Sequence, residues 1–278
     1  MAVAALLVGV AVVVVVLVLA GGKGGGNSAD GGVVTRQRRS RVEPASRAKL
    51  PQIAKVRNAK PQPGWGPYSG PVPILRYDVV GAPEPGESFP ELFVPPADFR
   101  AQLDWLEEGG YEAVGLETVQ AAWSGGGRLP AKPIVLSFDG VAGDLLKVAV
   151  PELTRRGWPG VLVIDADAPP PDSAAVARLI ALGWDLEPSG HDPAAARRFV
   201  KSRFPAAARD FAAPSPESSA PPTAAVKAAG FSGATTAAGG GFAEASEPFA
   251  MPRITIFGLS GITGFEEAIR SRGQGAGA

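Results

Sequence analysis

No cysteine occurs in the 278 residues, which excludes disulfides, thiolate metal sites and cysteine nucleophiles. Histidine is almost as scarce: His191 stands alone, whereas zinc enzymes typically draw two or three imidazoles onto one ion. Net charge is also missing, with 27 Lys and Arg against 27 Asp and Glu. That balance argues against nucleic acid as a partner, because nucleic-acid-binding domains usually carry a basic face. Ten of the basic residues but only two of the acidic ones fall in residues 1–60. The leader is therefore about +8 and the remaining body about −8. Glycine and proline are plentiful, at 36 and 28 residues, and predict substantial loop and linker.

One long apolar run is present, "AVAALLVGVAVVVVVLVLA" at residues 2–20. Its length is close to the ~20 residues that span a bilayer and exceeds the usual apolar core of a signal peptide, about 7–15 residues. An uncleaved membrane anchor is expected, with a cleaved signal segment as the alternative. The nearby cations follow the run, which taken literally would hold the body in the cytoplasm. An extracytoplasmic body, the placement expected here, needs further basic residues upstream of Met1. Residues 21–69 are Gly-rich, then basic and Pro-rich, and read as linker. The stretch "GGKGGG" is not a phosphate loop, since no strand leads into it and no Lys-Ser/Thr closes it.

From residue 70 the texture changes. "PVPILRYDVV", "YEAVGL", "PIVLSFD", "GVLVIDA", "WDLE", "RDFAA", "GFSGATT" and "RITIFG" read as short strands. Helical patterns lie between them at 96–109, 117–123, 143–157, 173–183, 192–203, 222–230 and 264–272. Continuously apolar strands alternating with helices predict a parallel sheet covered on both faces. Seven or eight such units over residues 70–272 predict an α/β fold, a distorted (β/α) barrel, with residues 273–278 as a tail. Functional groups gather where such strands hand over to helices. Those strand ends carry Asp78, Asp139, Asp165 or Asp167, Glu187 with Ser189 and His191, and Ala213-Pro214. Carboxylates there can take a proton from water, ligate a cation or hold sugar hydroxyls. For Asp167, Asp172 and Asp192, helix N-capping is the simpler reading.

The segments "PVPILRYDVVG", "ELFVPPADFRAQLDWLEEGGYEAVGLETV", "LPAKPIVLSFDG", "LTRRGWPGVLVI", "LIALGWDL", "AAVKAAGFSGATT" and "MPRITI" follow one another in an order that resembles the polysaccharide deacetylases of NodB homology. The resemblance implies a distorted β/α barrel and a metal-dependent hydrolase removing acetyl groups from carbohydrate polymers. It implies Asp139 as general base, in Ser137-Phe138-Asp139. The family's metal-binding aspartate, however, is replaced by Gly140. One metal-binding histidine position reads Ser189, leaving His191 as the remaining ligand or acid. Ala213-Pro214 matches the family's Tyr-Pro, and the Ala213 backbone N–H is the expected oxyanion donor. Glu217 falls where an arginine would orient the base, and Asp78 stands in place of a histidine.

Asp78 and Glu187 are candidate replacement oxygen ligands for a divalent metal such as zinc. A hydrolytic metal needs protein ligands that fix its geometry and an open position for water, and here the ligand set is altered. Two functions are thus expected: an impaired deacetylase, or a non-catalytic carbohydrate-binding or cell-envelope scaffold protein on the same barrel. For the second, Trp123, Trp158 and Trp184 are possible sugar-stacking groups, with core packing as the plainer reading of Trp184.

Overall fold

The computed structural model describes residues 49–214, 221–237 and 241–273. The apolar run at 2–20, Glu217 and the tail 274–278 lie outside the described residues. Among those described, no helix is long and apolar enough to cross a membrane.

The strands, in chain order, are β1 (Ile74–Tyr77), β2 (Val79–Val80), β3 (Phe93–Val94), β4 (Glu112–Ala113), β5 (Pro133–Asp139), β6 (Val161–Asp165), β7 (Asp185–Ser189), β8 (Asp210–Ala212), β9 (Gly233–Thr236), β10 (Met251–Pro252) and β11 (Ile254–Thr255). The helices are α1 (Pro96–Glu108), α2 (Leu116–Trp123), α3 (Val150–Arg156), α4 (Ser173–Leu182), α5 (Pro193–Arg203), α6 (Thr223–Ala228) and α7 (Gly261–Gly273). All ladders between strands are parallel, and the main sheet runs β10-β9-β8-β7-β6-β5-β1-β11, with β4 beside β5. Its two outermost strands are consecutive in the chain, with only Arg253 between them. Residues 251–255 therefore pair with β9 on one side and β1 on the other, and the sheet closes into the expected (β/α) barrel.

Strand side chains alternate between faces, and the register sorts them. Leu75, Tyr77, Leu136, Phe138, Leu162, Ile164 and Leu186 belong to one cluster packed with α1, α3 and α4. Tyr77 stacks on Phe138 with centroids 5.4 Å apart, and its hydroxyl donates to Gln102 on α1 at 3.0 Å. The opposite face begins with Ile74, Val135 and Val161, which fill the base of the barrel. It continues with Arg76, Ser137, Asp139, Glu187, Ser189 and Thr235, so the polar groups collect toward the C-terminal strand ends.

Local signals set the helix limits. Asp172 and Asp192 accept the first backbone N–H groups of α4 and α5, as expected of caps. Asp167 caps nothing; it accepts from His191 instead. Gly157 and Gly183 end α3 and α4 in left-handed conformations, which glycine adopts without a Cβ penalty. Asp192→Ala should cost about 1 kcal/mol, the usual value of an N-cap, read as a lower urea midpoint with the slope unchanged.

The linker reading of residues 21–69 requires correction at its C-terminal end. Val56, Asn58 and Trp65 are buried, Val56 N–H donates to the Leu182 carbonyl, and Gly66 bridges Leu129. These anchors fall at irregular intervals among prolines, so no period betrays them.

Candidate functional site

A cavity of about 410 Å3 opens at the C-terminal ends of β1, β5, β6, β7 and β8. Volumes of this order suit a small ligand or a few groups of a larger one. Asp139, Gly140, Ser189, Ala213 and Pro214 all line it, together with Arg76, Arg253 and Asp165. The barrel thus brings together six of the residues singled out from sequence: Asp139, Gly140, Asp165, Ser189, Ala213 and Pro214. Asp78 is not part of the lining but is tied to Arg76, and Glu187 is buried in the barrel interior. His191 does not join them: its side chain is exposed, and its backbone N–H and Nδ1 both bond Asp167 Oδ2, at 2.7 and 2.8 Å. Those bonds hold the Asp167 carboxyl below its ordinary pKa.

Two arginines define the floor. Arg76 Nε donates to Asp139 Oδ2 and Arg253 Nη1 to Asp139 Oδ1, each at 2.6 Å. Arg76 Nη2 donates to Asp78 Oδ1 at 2.5 Å, and Arg253 Nη2 reaches the Ala213 carbonyl at 3.5 Å. Burial works against the charge of Arg76, but Asp139 and Asp78 outweigh it and its pKa lies above the ordinary value. Asp78 is raised, chiefly by burial and against the pull of Arg76. Its Oδ2 is sealed from solvent with no hydrogen-bond partner. Glu187 is pushed up to about 8, mainly by burial; Arg253 opposes the shift, while Asp210, Asp139 and Asp185 add to it. Burial thus favours its protonated, neutral form, within weak hydrogen-bond reach of the Thr235 hydroxyl at 3.4 Å.

The Ala213 N–H is not free to serve as an oxyanion donor, since it donates to the Thr235 carbonyl at 2.8 Å. Gly140 has φ +90°, and a Cβ there would meet no atom within 4 Å. The position beside Asp139 therefore opens into space, with no side chain to offer a metal. Among the described residues, no three or more His, Asp or Glu side chains gather as a group that could hold a metal ion. Both oxygens of Asp139 already face guanidinium groups, and a dication placed there would meet two fixed positive charges. The donor set does not fit the hydrolytic metal that the sequence resemblance implied.

Trp158 and Trp184 are core residues, and the Trp123 indole N–H donates to the Gly70 carbonyl at 3.0 Å. None of the three lines the cavity. Arg76 and Arg253 escaped a sequence reading that looked for carboxylates and imidazoles at strand ends. Their signal was present: each is a single charge inside an otherwise apolar strand segment, "PILRY" and "MPRITI".

In fold, the molecule is a barrel of the polysaccharide deacetylase type. A Streptococcus pyogenes deacetylase, PplD, solved with acetate, superposes with TM-score 0.61 at 18% identity, covering 72% of this chain and 99% of that one. A de-N-acetylase from Aggregatibacter actinomycetemcomitans gives TM-score 0.59 at 16% identity over 71% of this chain and 99% of that one. A Bacillus cereus polysaccharide deacetylase gives 0.58 at 17% identity, over 72% of this chain and 69% of that one. In sequence, 62 residues are 37% identical to the poly-beta-1,6-N-acetyl-D-glucosamine N-deacetylase of Escherichia coli K12. That segment is 22% of this chain and only 9% of the relative. No family model matches the chain.

Proposed function

We propose that this chain binds an acylated carbohydrate polymer on a polysaccharide deacetylase barrel and hydrolyses it poorly or not at all. The observation that carries this reading is the bracketing of Asp139 by Arg76 and Arg253. A general base must direct a lone pair at the water it deprotonates, and each carboxylate oxygen has only two. Here each carboxylate oxygen accepts a short charge-assisted bond, the strong kind, and Gly140 offers no ligand to a metal that could activate water instead. The cavity itself is retained in the size and position of a ligand site. An extracytoplasmic, membrane-anchored placement belongs to the same proposal and is supported by the apolar run at residues 2–20.

The test uses full-length protein and oligomers of N-acetylglucosamine, with O-acetylated xylan as a second polymer. Binding is followed by calorimetry and acetate release by a coupled assay. The expected result is saturable binding with acetate release at least roughly 100-fold below that of an active deacetylase, the scale of losing base catalysis. Release at a comparable rate that Asp139→Asn abolishes would establish a working deacetylase and overturn the impairment.

A further inference from the structure

The arginine floor and the metal that the donor set does not fit lead one step further, resting on the binding function just proposed. We infer that Arg76 and Arg253 supply the positive charge of ligand recognition in place of a metal ion, with Arg76 donating to the carbonyl oxygen of a neutral acyl group on the sugar. Arg76 uses Nε and Nη2 on Asp139 and Asp78, which leaves Nη1 without a partner among the described residues. Arg76 lines the cavity, so this donor is available to a ligand, and a guanidinium fixed by two carboxylates is already oriented. Arg253 is held by Asp139 and the Ala213 carbonyl, with its side chain 1% exposed.

The charge balance selects the ligand. Arg76 and Arg253 are offset by Asp139 and Asp165 on the cavity lining and by Asp78 on Arg76, so an anion gains nothing from the site as a whole, and a dication would face two fixed guanidinium groups. A neutral acceptor oxygen gains from the site. The walls match the rest of an acyl group: Val141, Ile164, Ala168, Pro169 and Pro171 are aliphatic, and among the described residues no aromatic ring lines the cavity. A sugar ring would find no stacking surface there, whereas a methyl or short alkyl group would be covered. The acyl substituent therefore enters and the sugar ring stays outside.

Calorimetry with the N-acetylglucosamine tetramer, the glucosamine tetramer and each in EDTA or with added zinc tests this. The acetylated tetramer should bind with the same affinity, within about twofold, in EDTA and in zinc, and the deacetylated one at least roughly tenfold more weakly, the scale of a lost hydrogen bond to a charged group. Arg76→Lys should weaken binding by a similar roughly tenfold factor, because an ammonium cannot serve Asp139, Asp78 and a ligand in the same fork. Ala168→Trp, a change at an exposed loop position, should abolish binding by filling the cavity and stands if Arg76→Lys fails to fold. Zinc-dependent binding, equal affinity for both tetramers, or unchanged affinity in folded Arg76→Lys or in Ala168→Trp would overturn the inference while leaving carbohydrate binding intact. Absence of binding to any acylated polymer, with or without zinc, would instead remove the proposed function and the inference with it.

Discussion

Arg253→Met is expected to destabilise the barrel by about 3 kcal/mol, near the lower end for a buried ion pair that loses one partner. The Arg253 guanidinium is 1% exposed while Asp139 keeps 21% and retains its bond from Arg76, so water and the remaining arginine compensate part of the carboxylate and the upper end is not reached. Methionine fills much the same volume, so the loss is electrostatic rather than a cavity. For a domain of about this size the melting temperature should fall by roughly 6–12 °C. The informative control is Arg253→Met with Asp139→Leu. Removing both charges takes away the carboxylate that lost a cation, and Arg76 keeps Asp78, so the double variant should recover at least about 1 kcal/mol of the single loss. Additive losses in the double variant, or a single loss under about 1 kcal/mol, would mean that the pair does not hold the floor together.

Stability should fall as pH rises from about 5 to 8, opposite to the trend set by salt-bridged carboxylates. Glu187 and Asp210 are buried, and burial pushes them up to about 8 and about 7. Glu117 adds to the shift of Asp210, against the hydrogen bond from Gln120 and the charge of Arg209. Asp185 is raised to about 7 as well, first by burial and then by Glu117; it keeps some solvent contact, and its share is smaller. In the unfolded chain these groups ionise near their ordinary values, about 4. Between there and the folded pKa the native state holds protons that the unfolded state has released. Stability from this source is full below about pH 4 and drains as pH climbs through the folded values.

Each fully protonated group contributes about 1.4 kcal/mol per pH unit inside its window, so a slope of roughly 1–3 kcal/mol per unit is expected between pH 5 and 7. Glu187→Gln should flatten the upper part and leave the variant more stable than the parent at pH 8. Urea midpoints at pH 5, 6, 7 and 8 measure this. Midpoints that rise across that range would show that the interior acids are ionised and compensated.

The barrel was legible because its outward strand faces and helix faces obey simple periods. "PIVLSFD" reads as a strand at the residues where β5 is found, 133–139, and α1, α2, α4 and α5 fall within one residue of the patterns that predicted them. Two-residue strands such as Phe93–Val94 and Met251–Pro252 are too short for any period and are made by tertiary pairing. The site was legible in its position but not in its charge. Asp139, Ser189 and Ala213 were found because strand ends point to function. The arginines were not, because a buried guanidinium is defined by its partners, and Arg253 and Asp139 are 114 residues apart. His191 shows the converse: a rare residue near the site in sequence, turned outward by its bonds to Asp167.

The closure of the sheet has a consequence for how the chain reaches this state. The residues that join the two open edges are the last strand segments of the barrel, so a chain emerging during synthesis holds unpaired backbone on both sides until they appear. Long-range pairing of this kind is slow, and open strand edges invite pairing with other chains. Arg253 arrives with that final segment, so the Asp139 carboxylate gains its second cation only when the last stave is in place. A chain interrupted before residue 251 would be a curved open sheet, and its ligand cavity would lack one wall of charge. During synthesis the site is thus completed last, because one of its two arginines lies in the last strand segment of the sequence.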